Sequence, residues 1–70
     1  MAEGPYVWRV YFRGHGDLVT SGGTAETADA ALAALEAQLD TLTKLEPDQF
    51  LEGQVLGPDG SLVHTAWRHP

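Results

Sequence analysis

No cysteine occurs among the 70 residues, so neither a disulfide nor a thiolate metal site can brace this fold. Basic residues are scarce as well: one lysine and three arginines face ten acids, for a formal net charge of −6. That balance works against nucleic acid and anionic membranes, whose affinity comes from clustered Lys and Arg. Long apolar runs are missing too, and the roughly 20 apolar residues that span a bilayer are nowhere approached. Met1 to Pro5 has neither a basic n-region nor an apolar h-region, so the expected location is cytoplasmic and the five residues read as a disordered lead-in. A chain of this length forms one domain, residues 1–70, with a core worth about 3–5 kcal/mol at best. Without disulfides, good packing or self-association must supply the rest.

What is present is a clear order of elements. Tyr6 to Arg13, YVWRVYFR, is aromatic and β-branched with period-two alternation, a strand signal. Tyr6, Trp8, Val10 and Phe12 share one face; Val7, Arg9, Tyr11 and Arg13 share the other. Gly14-His15-Gly16 makes a hairpin turn, and Asp17 to Ser21 resumes an extended strand. A two-residue loop pairs Phe12 with Val19, and a three-residue loop pairs it with Leu18. Gly22-Gly23 is expected to end the hairpin and release the chain into a helix, with Thr24 or Thr27 as N-cap. Ala28, Ala31, Leu32, Leu35, Leu39 and Leu42 then form one helical stripe. Asp29, Ala33, Glu36 and Asp40 lie opposite it, Asp40 is positioned to pair with Lys44, and Pro47 stops the helix.

Gln49 to Leu56 and Ser61 to Arg68 make a second hairpin around Gly57-Pro58-Asp59-Gly60, the signature of a type I turn with a glycine bulge. An unbroken register from Leu56 opposite Leu62 sets Leu51 opposite Trp67. It gives Leu51, Gly53, Val55, Val63, Thr65 and Trp67 to the core. Phe50, Glu52, Gln54, Leu56, Leu62, His64, Ala66 and Arg68 fall on the other face. The fold class is α+β, a single β-β-α-β-β domain with one helix on one face of a four-stranded sheet. This layout, from Tyr6 to Trp67, resembles the smallest β-grasp domains in architecture. The resemblance implies sheet order 2-1-4-3, with strands one and four as a parallel central pair. The alternative is another strand order, or a sheet completed by a second chain.

Catalytic chemistry finds little support. Ser21, Ser61, His15, His64 and His69 stand in no nucleophile or triad context. An acid/base pair of His64 with Glu52 would sit on an open sheet with no pocket. His15 with Asp17, or His64 with His69, gives two metal ligands where a structural site needs four. Ser21-Gly22-Gly23-Thr24 lacks phosphate-loop spacing. No cofactor or metal is therefore expected, and the chain reads as non-enzymatic.

One helix covers one side of a four-stranded sheet. The uncovered side is expected to display Arg9, Tyr11, Arg13, Phe50, Leu56, Leu62, His64 and Arg68, mixing all three arginines with aromatic and aliphatic groups. Tyr and Arg are enriched at binding hot spots, and apolar patches mark interfaces. The expected partners are a second copy, forming a dimer, or another protein for which the domain acts as adaptor or inhibitor. Single-stranded nucleic acid stacked on the bare sheet ranks behind these, and an enzyme using His64 and Glu52 last.

Overall fold

The computed structural model describes residues 5–13 and 19–69; the lead-in before Pro5 and the loop at His15 lie outside the described residues. The elements are β1 (Tyr6–Phe12), β2 (Val19–Ala25), α1 (Ala28–Leu45), β3 (Leu51–Leu56) and β4 (Leu62–Arg68). The helix lies on one face of a four-stranded sheet, so the class is α+β. No helix among the described residues is long and apolar enough to cross a membrane.

The strand order is β2-β1-β3-β4 and every pairing is antiparallel. This corrects the 2-1-4-3 order: β1 pairs with β3, and β4 lies at an edge. Cross-strand chemistry accounts for the difference. In the observed order Arg9 stands opposite Gln54 and Tyr11 opposite Glu52, so the basic and aromatic groups of β1 meet acceptors on β3. Beside β4, the same arginines would meet a strand without a single carboxylate. Because β2 and β3 both oppose β1, they run parallel to each other. Helix α1 carries the chain between them, over β1.

The helix begins where Thr27 Oγ1 accepts a hydrogen bond from the Ala30 amide at 3.1 Å, which satisfies one of the unpaired donors of the first turn. It ends at Leu45, two residues before Pro47, with the Glu46 amide donating to the Leu42 carbonyl at 2.7 Å. Its stripe buries Ala31, Leu35 and Leu39 completely, against Val10, Leu51 and Val55 of the two central strands. Tyr6, Trp8, Phe12, Ala25, Leu32, Leu42 and Ala66 close the periphery of this core.

Gly22 and Gly23 do not end the hairpin; β2 runs through them to Ala25. Their smallness serves close approach instead. A Cβ on Gly23 would come within 3.0 Å of the Trp8 indole, and one on Gly22 within 3.1 Å of the Trp8 carbonyl oxygen. Both registers of the first hairpin occur, on either side of a bulge. Tyr11 pairs with Val19 as a three-residue loop requires, while Val10 to Tyr6 pair with Ser21 to Ala25 as a two-residue loop requires.

The second hairpin turns as its Pro-Asp-Gly signal predicts. Gly60 adopts φ +88°, the left-handed conformation open to glycine. The Gly57 amide reaches the Ser61 carbonyl at 2.8 Å, and Asp59 Oδ1 accepts from the Ser61 amide at 3.0 Å. Leu56 pairs with Leu62, but the next pair is Val55 with His64, so β4 holds one extra residue. Every later pair is displaced by one, and a one-residue slip exchanges the two faces of a strand. Ala66 and Arg68 therefore lie on the helix side and Thr65 and Trp67 on the open side. The core has no space for the indole because the helix already occupies it: a Cβ on Gly53 would stand 2.5 Å from Leu35 Cδ1.

Candidate interaction surface on the open sheet face

The face turned away from the helix follows from the registers. β1 contributes Val7, Arg9 and Tyr11; β3 contributes Glu52, Gln54 and Leu56; β4 contributes Leu62, Thr65 and Trp67. Val63 is the extra residue of the bulge, unpaired and exposed. Leu62, Val63 and Trp67 are 57%, 49% and 51% exposed. Leu62 and Trp67 thus stand exposed along the edge strand of this face, with Val63 beside them at the bulge.

At its centre sits Glu52, only 5% exposed although no helix covers it. A single layer of side chains does so. Arg13 Nη1 donates to Glu52 Oε1 at 2.7 Å, and Gln54 Nε2 approaches Oε2 at 3.3 Å. Arg9 Nε donates in turn to Gln54 Oε1 at 2.9 Å. The result is a continuous row, Arg9–Gln54–Glu52–Arg13, across the two central strands. Burial of the carboxylate raises its pKa, but hydrogen bonds from Arg13, Tyr11 and Trp67, with the Arg13 charge, outweigh that and hold Glu52 below the ordinary carboxylate value. The network holds the charge-bearing side chains in place, so the face presents a preset pattern rather than a set of free rotamers.

Not all of the expected surface residues meet here. Arg9, Tyr11, Leu56 and Leu62 lie on the open face. Arg13 follows β1, half exposed, with its guanidinium on Glu52. Phe50 precedes β3; its ring lies 4.7 Å from that of His69, and its carbonyl accepts from the Arg13 amide at 2.9 Å. His64 and Arg68 are corrections. His64 is paired with Val55 and Arg68 with Leu51, which puts both on the helix side. Arg68 Nη2 donates to Glu36 Oε1 at 2.5 Å and lies 3.5 Å from Asp40 Oδ1. Asp40 thus meets Arg68, where the sequence suggested Lys44. His64 and Glu52, joined in the enzyme alternative, lie on opposite faces of the sheet. Sequence reasoning missed Trp67, Val63 and Thr65 as surface residues, because an unbroken register buries all three; the glycine at the turn was the sole cue to irregular pairing.

Among the described residues no pocket forms and no three His, Asp or Glu side chains gather as metal ligands. Comparison with known proteins finds no family model, no curated protein and no solved structure that matches the chain.

Proposed function

We propose that this chain is a non-enzymatic protein-interaction module, an adaptor or inhibitor, which self-associates and whose contact surface is the open sheet face. The observation that carries this reading is the row of exposed Leu62, Val63 and Trp67 beside the ordered Arg9–Gln54–Glu52–Arg13 network. Apolar anchors flanked by fixed polar groups are the composition of interface hot spots. The opposite side of the molecule is different: acids on the helix meet solvent or Arg68, a surface suited to solubility. Amide spectra of the labelled protein test the reading, recorded over a range of concentration and with cell extract. Shifts should centre on Arg9, Tyr11, Leu56, Leu62 and Trp67. Shifts confined to the helix would overturn it.

A second reading is a single-stranded nucleic-acid-binding sheet. It is favoured by Arg9, which has no carboxylate partner among the described residues, beside the aromatic faces of Tyr11 and Trp67. It predicts salt-sensitive binding of an oligonucleotide that is lost in Arg9→Glu. No binding at low salt would remove it.

A further inference from the structure

We infer that the second copy joins through the free edge of β4, pairing β4 antiparallel to itself about Thr65 and extending the sheet to eight strands. This rests on the self-association in the proposed function and specifies its geometry. The argument starts from hydrogen-bond direction. The Arg13 amide donates to the Phe50 carbonyl, so in the β1–β3 ladder the backbone groups of the even-numbered β3 residues turn toward β1. Those of Leu51, Gly53 and Val55 then turn toward β4, where they meet Arg68, Ala66 and His64. The N–H and C=O groups of Thr65 and Trp67 consequently point off the edge of the sheet. Such a row is a template for another strand.

The side chains suit a two-fold axis at Thr65. Thr65 would face Thr65 of the second copy, and Trp67 would meet the exposed Leu62–Val63 end of that copy's β4. Thr–Thr and aromatic–β-branched pairs are both favourable cross-strand contacts. Apart from the bulge at its hairpin end, β4 carries little to block the approach. The strand Leu62–Arg68 holds no proline, no lysine and no acid, so the charge of −6 on each copy lies on other elements. The bulge, Val63, sits at its hairpin end, leaving His64 to Arg68 regular. The other edge, β2, is the poorer candidate because Gly22 and Gly23 at its middle offer no side chains to pack. The exposed parts of Leu62, Val63 and Trp67 give on the order of 300 Å² of apolar surface per copy. With seven residues of strand edge the pair buries about 1,000 Å² in total, the lower bound for a specific interface. The two open faces would then lie side by side, joined at the seam by both Trp67 indoles, and remain available to a heterologous partner.

Light scattering after size exclusion, from about 10 μM to 1 mM, tests this on the wild type, Thr65→Pro and Thr65→Lys. Proline removes an outward N–H and leaves the β3–β4 ladder intact; lysine sets two like charges across the axis and covers the case in which proline disturbs folding. The expected result is a wild-type dimer whose Kd rises at least tenfold in either variant that retains a native circular-dichroism spectrum. A wild type that stays monomeric throughout overturns edge pairing and leaves the open face to a different protein. A dimer that survives both substitutions also overturns it, and points to stacking of open faces instead.

Discussion

Gly53→Ala is the smallest change that interrogates the packing of the helix on the sheet. The added Cβ would lie 2.5 Å from Leu35 Cδ1, 3.1 Å from its Cγ and 3.2 Å from its Cδ2. Leu35 is fully buried, with Leu39 and Val10 among its neighbours in the core, so it cannot simply swing aside. Forcing a methyl group into a filled core costs about 1–3 kcal/mol. Against this, alanine narrows the unfolded ensemble and returns about 0.4–1 kcal/mol. The net expectation is a loss of about 1–2 kcal/mol, which lowers the Tm of a domain this size by roughly 4–15 °C. Urea unfolding followed by circular dichroism measures it, with the m-value checked for constancy. Leu35→Ala supplies the control. On its own it costs about 2–5 kcal/mol by opening a cavity, but paired with Gly53→Ala it removes the clash, so the double variant should be more stable than the sum of the two losses implies. If Gly53→Ala is neutral or stabilising, Leu35 does not rest on β3 at this point and the placement of α1 is wrong.

Two further outcomes follow from the open face. Glu52 has a folded pKa below its ordinary value of 4.5, so its contribution to stability is complete above that value and is lost as pH falls through the folded pKa. Since Arg13 is 50% exposed, solvent screens the pair and the contribution is about 1 kcal/mol rather than the several expected of a fully buried one. Glu52→Gln should therefore be less stable at pH 7 and approach the wild type as pH falls below 4.5 and through the folded pKa, as read by thermal melts; a difference that stays constant throughout the acid range would contradict the assignment. Deleting Val63 should remove the bulge while leaving Trp67 on the open face, with stability within about 1 kcal/mol of wild type and Trp67 still quenched by iodide in dilute solution. A large loss of stability would mean that the strand is in the unbulged register with Trp67 in the core.

The helix was legible in the sequence because its signals agree: a capping threonine, an unbroken apolar stripe and a proline stop. The four strands were legible by alternation, and the turn at Gly57–Gly60 by its chemistry. Strand order was not, because the 2-1-4-3 order rests on a likeness of layout, which says nothing of which neighbour a strand meets. β3 reads as the more polar strand, yet it is central, with Leu51 and Val55 buried on one face. Its Glu52 and Gln54 are satisfied by Arg13 and Arg9 on the other. A strand with a carboxylate opposite an arginine-bearing strand is the pairing cue that a likeness of layout overlooks.

The register of β4 was hidden for a different reason. Both candidate alignments begin with Leu56 opposite Leu62 and differ only by one unpaired residue, so local turn chemistry cannot separate them. What separates them lies far away in the chain. In the unbulged register Trp67 would compete with Leu35 for the space above Gly53, while Arg68 would face away from Glu36 and Asp40. The bulge resolves both conflicts in one step. It sends Arg68 to the helix acids and Trp67 to the carboxylate of Glu52, which it helps to cover. The same step leaves Val63 exposed at the bulge and puts Trp67 on the open side of an edge strand. The exposed apolar row is thus a by-product of packing that the core and the ion pairs demand, and an edge strand left in that condition invites pairing. A core packed this way therefore leaves Leu62, Val63 and Trp67 exposed along an edge strand.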